Sequence, residues 1–314
     1  MRRVAALFGA AAVGGAAGLV TNKTPSPVVL ASNVLSPHRP TTVLVHGLDS
    51  SKETWNGVLA QLATAGYPAI ALDLRGHGES PLGDPKGFTA QQLAEDVIDA
   101  VRAHGVDDCV LIGHSMGGRV AMQAAAIDGA AGNRPLFRSV IIEDMDIRPR
   151  ALASPPDDAL PPSSAAELLR FTSSGGRRFV DWPSARDALL RWYNGDVARV
   201  ESWKRSRVRP LPGGDWWSDL NPAAQRLARD KVLASEDGAS SWDTLASLPV
   251  KVHLWYAGAE DTVCELKGKG GIEDMARRVP TAQLRHFAEA GHSIHNSART
   301  EFMEALFEVV DSPR

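Results

Sequence analysis

Cys109-Val110-Leu111-Ile112-Gly113-His114-Ser115-Met116-Gly117-Gly118 joins an apolar run to the start of an Ala-rich helical pattern. The stretch reads as a strand, a tight turn and a helix, with a serine at the apex. Glycines two residues before and two after Ser115 let the chain turn sharply where a Cβ would clash. Such a turn leaves the hydroxyl exposed above a sheet edge and turns the next backbone N–H, that of Met116, toward a developing oxyanion. Ser115 is therefore a candidate nucleophile, provided that its surroundings supply a sheet and a base.

The surroundings do supply the sheet pattern. Short β-rich apolar runs fall at Thr42–His46, Ala69–Asp73, Cys109–Gly113, Ser139–Glu143, Val250–Tyr256 and Gln283–Phe287. Helical patterns lie between and after them, at Thr54–Ala65, Ala90–Ala103, Met116–Ile127, Ile272–Arg278 and Thr300–Val310. Continuous apolar strands alternating with helices predict an α/β fold whose mostly parallel sheet is flanked by helices on both faces. The alternation stops after Met145. From Ile147 to about Leu248 the chain offers Pro-rich linkers and helical segments without a convincing strand, and six of the eight tryptophans. That predicts a helical cap inserted between two sheet strands, with the tryptophans building its small core.

Composition sets the outer limits. The chain has 314 residues, 44% of them hydrophobic and 23% charged, as in ordinary globular proteins. A net charge of −3 gives no electrostatic basis for nucleic-acid binding. Two cysteines, Cys109 and Cys264, cannot build a disulfide scaffold, and Cys109 in a strand reads as core filler. Residues 1–32 open with Arg2 and Arg3, continue Ala- and Gly-rich, and contain no acidic residue. This pattern predicts a removable leader or disordered N-terminus, of the mitochondrial or plastid transit type or, alternatively, the secretory type. Its apolar run is short and glycine-interrupted for a stable membrane span.

A serine hydroxyl needs a base within hydrogen-bond reach, and the base needs a third group to fix its tautomer. Ala290-Gly291-His292 follows the last strand and precedes a helix, which places His292 at the carboxyl edge of the sheet. His295, one helical turn on, is the internal competitor, and His114 belongs to the turn itself. For the acid, Asp261 lies just beyond the strand Val250–Tyr256. Glu143-Asp144-Met145-Asp146 ends the strand before the insertion, so Asp144 and Asp146 are the alternative acids. The two oxyanion donors are expected to be the backbone amides of Met116 and Leu48, the latter in the turn Val45-His46-Gly47-Leu48-Asp49-Ser50.

These motifs resemble those of the α/β-hydrolase superfamily over about Thr42 to Val310. His46-Gly47 resembles the oxyanion turn of that superfamily, and Gly113 to Gly118 its nucleophile elbow. Asp73-Leu74-Arg75-Gly76-His77-Gly78-Glu79-Ser80 resembles the loop after its fourth strand, and Gly291-His292 its base. The set is similar to small capped esterases of bacteria and mitochondria. The resemblance implies the order Ser115, Asp261, His292, with some members drawing the acid from the position of Asp144 and Asp146. It implies cleavage of a carboxylic ester or thioester through an acyl-enzyme, needing neither cofactor nor metal. Carbon–carbon bond hydrolysis, perhydrolysis and a ligand-binding or receptor role with little turnover are the alternatives on the same fold. Serine at 115, where epoxide hydrolases and haloalkane dehalogenases carry aspartate, argues against those two chemistries.

The implied organisation is a leader at 1–32, a first core part at 33–146, a helical cap at 147–248 between the sixth and seventh strands, and a second core part at 249–314. Only Val28–Leu35 is strand-like before Thr42, so the usual opening hairpin is reduced. Arg199, Lys204, Arg205, Arg207 and Arg209 cluster in the insertion, as a solvated face or a site for an acidic substrate group. The expected partner is a small acyl ester or thioester.

Overall fold

The runs of Val, Ile, Leu and Ala are too short to shield themselves, and each hides by pairing with another run and being covered by helices. The computed structural model describes residues 29–31, 41–152 except 133, and 177–313 except 199, 202–203, 205–207, 211–212 and 219–220. In chain order its first elements are β1 (Val29–Ala31), β2 (Thr41–Val45), α1 (Asn56–Thr64), β3 (Ala69–Leu72), α2 (Ala90–Ala103), β4 (Cys109–His114), α3 (Met116–Ala130) and β5 (Phe137–Glu143). The inserted region supplies β6 (Arg177–Phe179), α4 (Trp182–Trp192), β7 (Val208–Pro210), β8 (Trp216–Ser218), α5 (Pro222–Ala228) and α6 (Asp237–Leu245). The chain then returns through β9 (Lys251–Ala257), α7 (Ile272–Arg278), β10 (Gln283–Phe287), α8 (Ile294–Ser297) and α9 (Arg299–Val310).

Seven strands form one sheet in the order β1-β3-β2-β4-β5-β9-β10. Only β1 runs antiparallel, with Val29 opposite Leu72; the other pairings are parallel. One face packs Val43, Leu111, Val140 and Leu254 against α2, α3, α6 and α7. The other packs Leu44, Ile112, Ile141 and Trp255 against α1 and α9. The alternation of neighbours such as Val43 and Leu44 between the two clusters is the period-2 pleat of a strand buried on both sides. Cys109 is buried in this sheet, as expected of core filler.

Three sequence expectations change here. Val29–Ala31 lies within the segment assigned to the leader, yet its register with β3 makes it part of the sheet. Most of residues 1–32 lies outside the described residues. The insertion is not purely helical: β6, β8 and β7 pair antiparallel into a small second sheet. Strands of three residues are too short for an alternation pattern to register. Among the described residues, moreover, the insertion follows the fifth strand of the large sheet rather than the sixth, because a single strand precedes β2.

The two halves of the insertion also differ. Phe179, Ala185, Leu189, Val200 and Val208 form a cluster of their own, with Trp182 and Trp216 against it. In contrast, Ala224, Ala228, Val232, Leu233, Trp242 and Leu245 belong to the main core. Trp242 is fully buried there and donates its indole N–H to the Met275 carbonyl at 2.9 Å. The side chains of Trp192, Trp203 and Trp217, and those of Arg199, Arg205, Arg207 and Arg209, lie outside the described residues. Lys204 sits over the Trp182 ring at 4.4 Å. Among the described residues, no helix is long and apolar enough to cross a membrane.

Candidate active site

Ser115 occupies the turn between β4 and α3 with φ 53° and ψ −124°. A non-glycine residue at positive φ is held there only by its neighbours. Its N–H donates to the Glu143 carbonyl at 2.9 Å, which extends the β4–β5 ladder to the serine itself. A Cβ on Gly113 would lie 2.1 Å from the Gly117 carbonyl oxygen, and one on Gly117 would lie 2.5 Å from that of His46. Both glycines are therefore required for the helix start to close onto the strand ends. Met116 opens α3 and, as an early helical residue, has no intrahelical partner for its N–H.

The turn after β2 approaches from the other side. An added Cβ on Gly47 would sit 3.0 Å from Ser115 Cβ, so the residue preceding Leu48 packs directly on the serine. His46 Nδ1–H donates to the Gly47 carbonyl at 2.8 Å. That leaves Nε2 as the acceptor for the Leu74 N–H at 3.1 Å. Asp49, at φ 57°, accepts from Arg229 at 3.3 Å. Asp73 accepts from the Lys52 amide and ammonium, both at 2.7 Å, and so ties this turn to the loop after β3.

His292 meets a carboxylate, and it is that of Asp144. Its Nδ1 lies 2.7 Å from Asp144 Oδ2. A carboxylate can only accept, so Nδ1 carries the proton and Nε2 of the neutral ring is left as an acceptor. Asp144 is fully buried, and four donors satisfy it: besides His292, the Ala257 amide (3.0 Å), the Thr262 hydroxyl (2.7 Å) and the Val263 amide (3.1 Å). Burial alone would raise its pKa. The bonds from His292, Ala257 and Thr262 outweigh burial and hold the carboxyl below the usual range.

Asp261, the acid favoured from sequence, does not reach the ring. It is exposed, and its Oδ1 accepts the backbone N–H of His292 at 3.1 Å. Asp146 is also elsewhere, paired with Arg148 at 2.9 Å and Arg150 at 2.7 Å. The reason lies in the end of β5. Glu143 still pairs with Trp255 in the sheet, but Asp144 turns to φ 44°. Its N–H bonds to the Trp255 carbonyl at 2.8 Å while its side chain faces the loop carrying His292.

Two further residues of this region carry partners that the motifs did not announce. His295 is fully buried, with Nδ1 2.8 Å from Glu143 Oε1, and its backbone N–H donates to the same oxygen at 2.9 Å. His114 lies between the other two histidines, its ring 4.6 Å from His292 and 5.0 Å from His295. His114 Nε2–H donates to the His292 carbonyl at 3.1 Å. His114, Glu143 and His295 bring ligand-type atoms within 4.8 Å of one another. The 2.8 Å between Glu143 and His295 is a hydrogen-bond distance, shorter than the roughly 3.3 Å between two ligands of a tetrahedral zinc. A repeated pairing in the sequence, Glu143-Asp144 against His292 and His295 three residues apart, was the available signal.

A family profile described as alpha/beta hydrolase family matches residues 42–305, most of the chain. The chain belongs to the alpha/beta hydrolase family. This alpha/beta hydrolase is 39% identical over 292 residues to the sn-1-specific diacylglycerol lipase ABHD11 of Xenopus laevis, covering 87% of this chain and 80% of the relative. It is 23% identical over 276 residues to esterase Rv0045c of Mycobacterium tuberculosis, covering 87% and 83%. Among solved structures, a marine microorganism esterase superposes with a TM-score of 0.63 at 16% identity, covering 90% of this chain and 98% of the other, a likeness of fold. The alpha/beta hydrolase fold expected from the motifs is thus the fold found, and with it hydrolase chemistry.

Proposed function

We propose that this alpha/beta hydrolase cleaves a carboxylic ester or thioester through an acyl-enzyme on Ser115, with His292 as base and Asp144 as the acid that orients it. The observation that carries the reading is the 2.7 Å contact of His292 Nδ1 with the fully buried Asp144, which leaves Nε2 as a proton acceptor on a ring packed against His114, the residue before Ser115. Ser115 Oγ attacks the carbonyl carbon as His292 Nε2 takes the hydroxyl proton. The amides of Met116 and Leu48 stabilise the tetrahedral oxyanion. Collapse breaks the bond to the alkoxide or thiolate, which leaves with the proton from His292. Water, deprotonated by His292, then attacks the acyl-serine and releases the carboxylic acid and the free hydroxyl.

A panel of p-nitrophenyl esters, acyl thioesters and a diacylglycerol tests this reading, the last because a similar protein is a diacylglycerol lipase by name. A burst of p-nitrophenol equal to the enzyme concentration is expected, together with loss of about 10⁴–10⁶ in turnover in Ser115→Ala. Parent-like activity in Ser115→Ala overturns the proposal.

A further inference from the structure

The second histidine–carboxylate pair behind the site has a defined charge. Asn296 Oδ1 accepts from Arg299 at 2.7 Å, so its amide nitrogen is the atom 3.0 Å from His295 Nε2. An amide NH2 only donates; Nε2 of His295 is therefore an acceptor and Nδ1 holds the single ring proton. That proton is given to Glu143, 2.8 and 3.0 Å from its two oxygens. His295 is thus neutral.

His114 is neutral as well. Its Nε2–H bonds to a carbonyl oxygen, and burial, outweighing the pull of Glu143, depresses its pKa to about 3. Glu143 is fully buried, and it accepts both the ring N–H and the backbone N–H of His295, bonds that favour its ionised form against the cost of burial. A buried anion therefore stands behind the His292 ring, separated from it by the ring of His114 and matched by no cation among the described neighbours that touch it.

We propose that Glu143 is a second anion for His292, favouring the imidazolium that forms when Ser115 gives up its proton, with His114 and His295 as positioning residues that hold it in place. The inference rests on His292 as the base. The other groups facing His292 are Asp144 on Nδ1, His114 against the ring and Asp261 on its backbone amide. Cys264 lies against Asp144, its thiol kept neutral by burial and by the Asp144 and Asp146 carboxylates. Replacing Glu143 by Gln removes the charge and keeps an oxygen in the place of Oε1 to accept the His295 backbone and ring N–H, with an NH2 group in the place of Oε2.

The test follows the His292 imidazole nitrogens by NMR against pH in the full chain, parent and Glu143→Gln. The titration midpoint is expected to fall by about half a unit to one unit in the variant, and the acidic limb of kcat/KM to move with it. An unmoved midpoint overturns the inference. If the variant does not fold, the ¹³C carboxyl signal of Glu143 in the parent decides. Ionisation throughout the His292 titration supports the inference, and protonation at or above the His292 midpoint overturns it. The NMR readout needs no turnover. A shifted midpoint in a protein inert toward every ester and thioester sinks the ester-hydrolase reading, and leaves Glu143 as an anion acting on the charge of His292 without that role in catalysis. Ester turnover with an unmoved midpoint does the reverse.

Discussion

Asp144→Asn separates the two candidate acids, and the structure fixes how the new amide would sit. With its nitrogen in the place of Oδ2, it would face two donors, His292 Nδ1–H at 2.7 Å and the Val263 amide at 3.1 Å. With its nitrogen in the place of Oδ1, it faces the Ala257 amide at 3.0 Å and the Thr262 hydroxyl at 2.7 Å, and the hydroxyl can rotate to accept. The second orientation is therefore favoured. It leaves one buried N–H opposed by a donor, worth about 1–3 kcal/mol of stability. It also preserves the Nδ1–H tautomer of His292 and removes only the full charge opposite the imidazolium. Loss of that charge is worth roughly 3–4 kcal/mol in the transition state, or about 10²–10³ in kcat. This is milder than the roughly 10⁴ incurred where the base is left in the wrong tautomer. Asp261→Asn still accepts the His292 amide and should stay within about threefold of the parent. Steady-state hydrolysis of a p-nitrophenyl ester, normalised by active-site titration, measures both. A Asp144→Asn variant within tenfold of the parent, or a larger loss in Asp261→Asn, refutes the reasoning.

Acid should destabilise the fold through buried neutral histidines. Burial depresses His114 to about 3 and His253 to about 4, whereas the unfolded chain protonates near 6.5. Below pH 6.5 the unfolded state binds more protons, so stability falls as pH drops toward those folded values, by roughly 2–3 kcal/mol per site at pH 4.5. Urea titrations at pH 7 and 4.5 should show this, with His253→Gln losing its share; an unchanged pH dependence in that variant counts against the explanation. Arg75 and Asp96 form a buried two-point pair with both contacts at 2.6 Å. Asp96→Ala should cost about 3–5 kcal/mol in urea-measured stability by removing both charge-assisted bonds from the buried guanidinium, and a cost below about 1 kcal/mol would contradict it. Arg229→Ala removes the 3.3 Å tie to Asp49 beside the Leu48 amide. It should lower kcat about tenfold with KM nearly unchanged, short of the 10²–10³ lost with a whole oxyanion donor; a change confined to KM would argue against this role.

Most of the α/β frame was legible because its signals are local. The run Cys109–Ile112 is buried on both faces, and β4 ends at His114, one residue before the serine. The run Ala69–Asp73 became β3 at Ala69–Leu72, and the helix read at Ala90–Ala103 has those bounds in the structure. Where the signal weakens, so does the reading. Val29–Ala31 is a strand only because Leu72, Ala71 and Ile70 offer it an open edge. Residues 222–245 look like any amphipathic insertion until α3 is seen beneath them, and then Trp242 proves to be main-core packing.

The sequence by itself determined the elbow at Ser115, the alternation that makes a doubly covered parallel sheet, and His292 at the edge of that sheet. Each follows from short-range rules: glycines where a Cβ would collide, apolar runs at strand spacing, a histidine just past a strand. Which carboxylate meets His292 was left to the tertiary structure. Asp144, Asp146 and Asp261 all stand just past strand ends, and their spacing does not rank them. The choice is made by the positive φ of Asp144 and by the Ala257, Thr262 and Val263 donors, which come from more than a hundred residues away and converge only when β5 and β9 pair side by side.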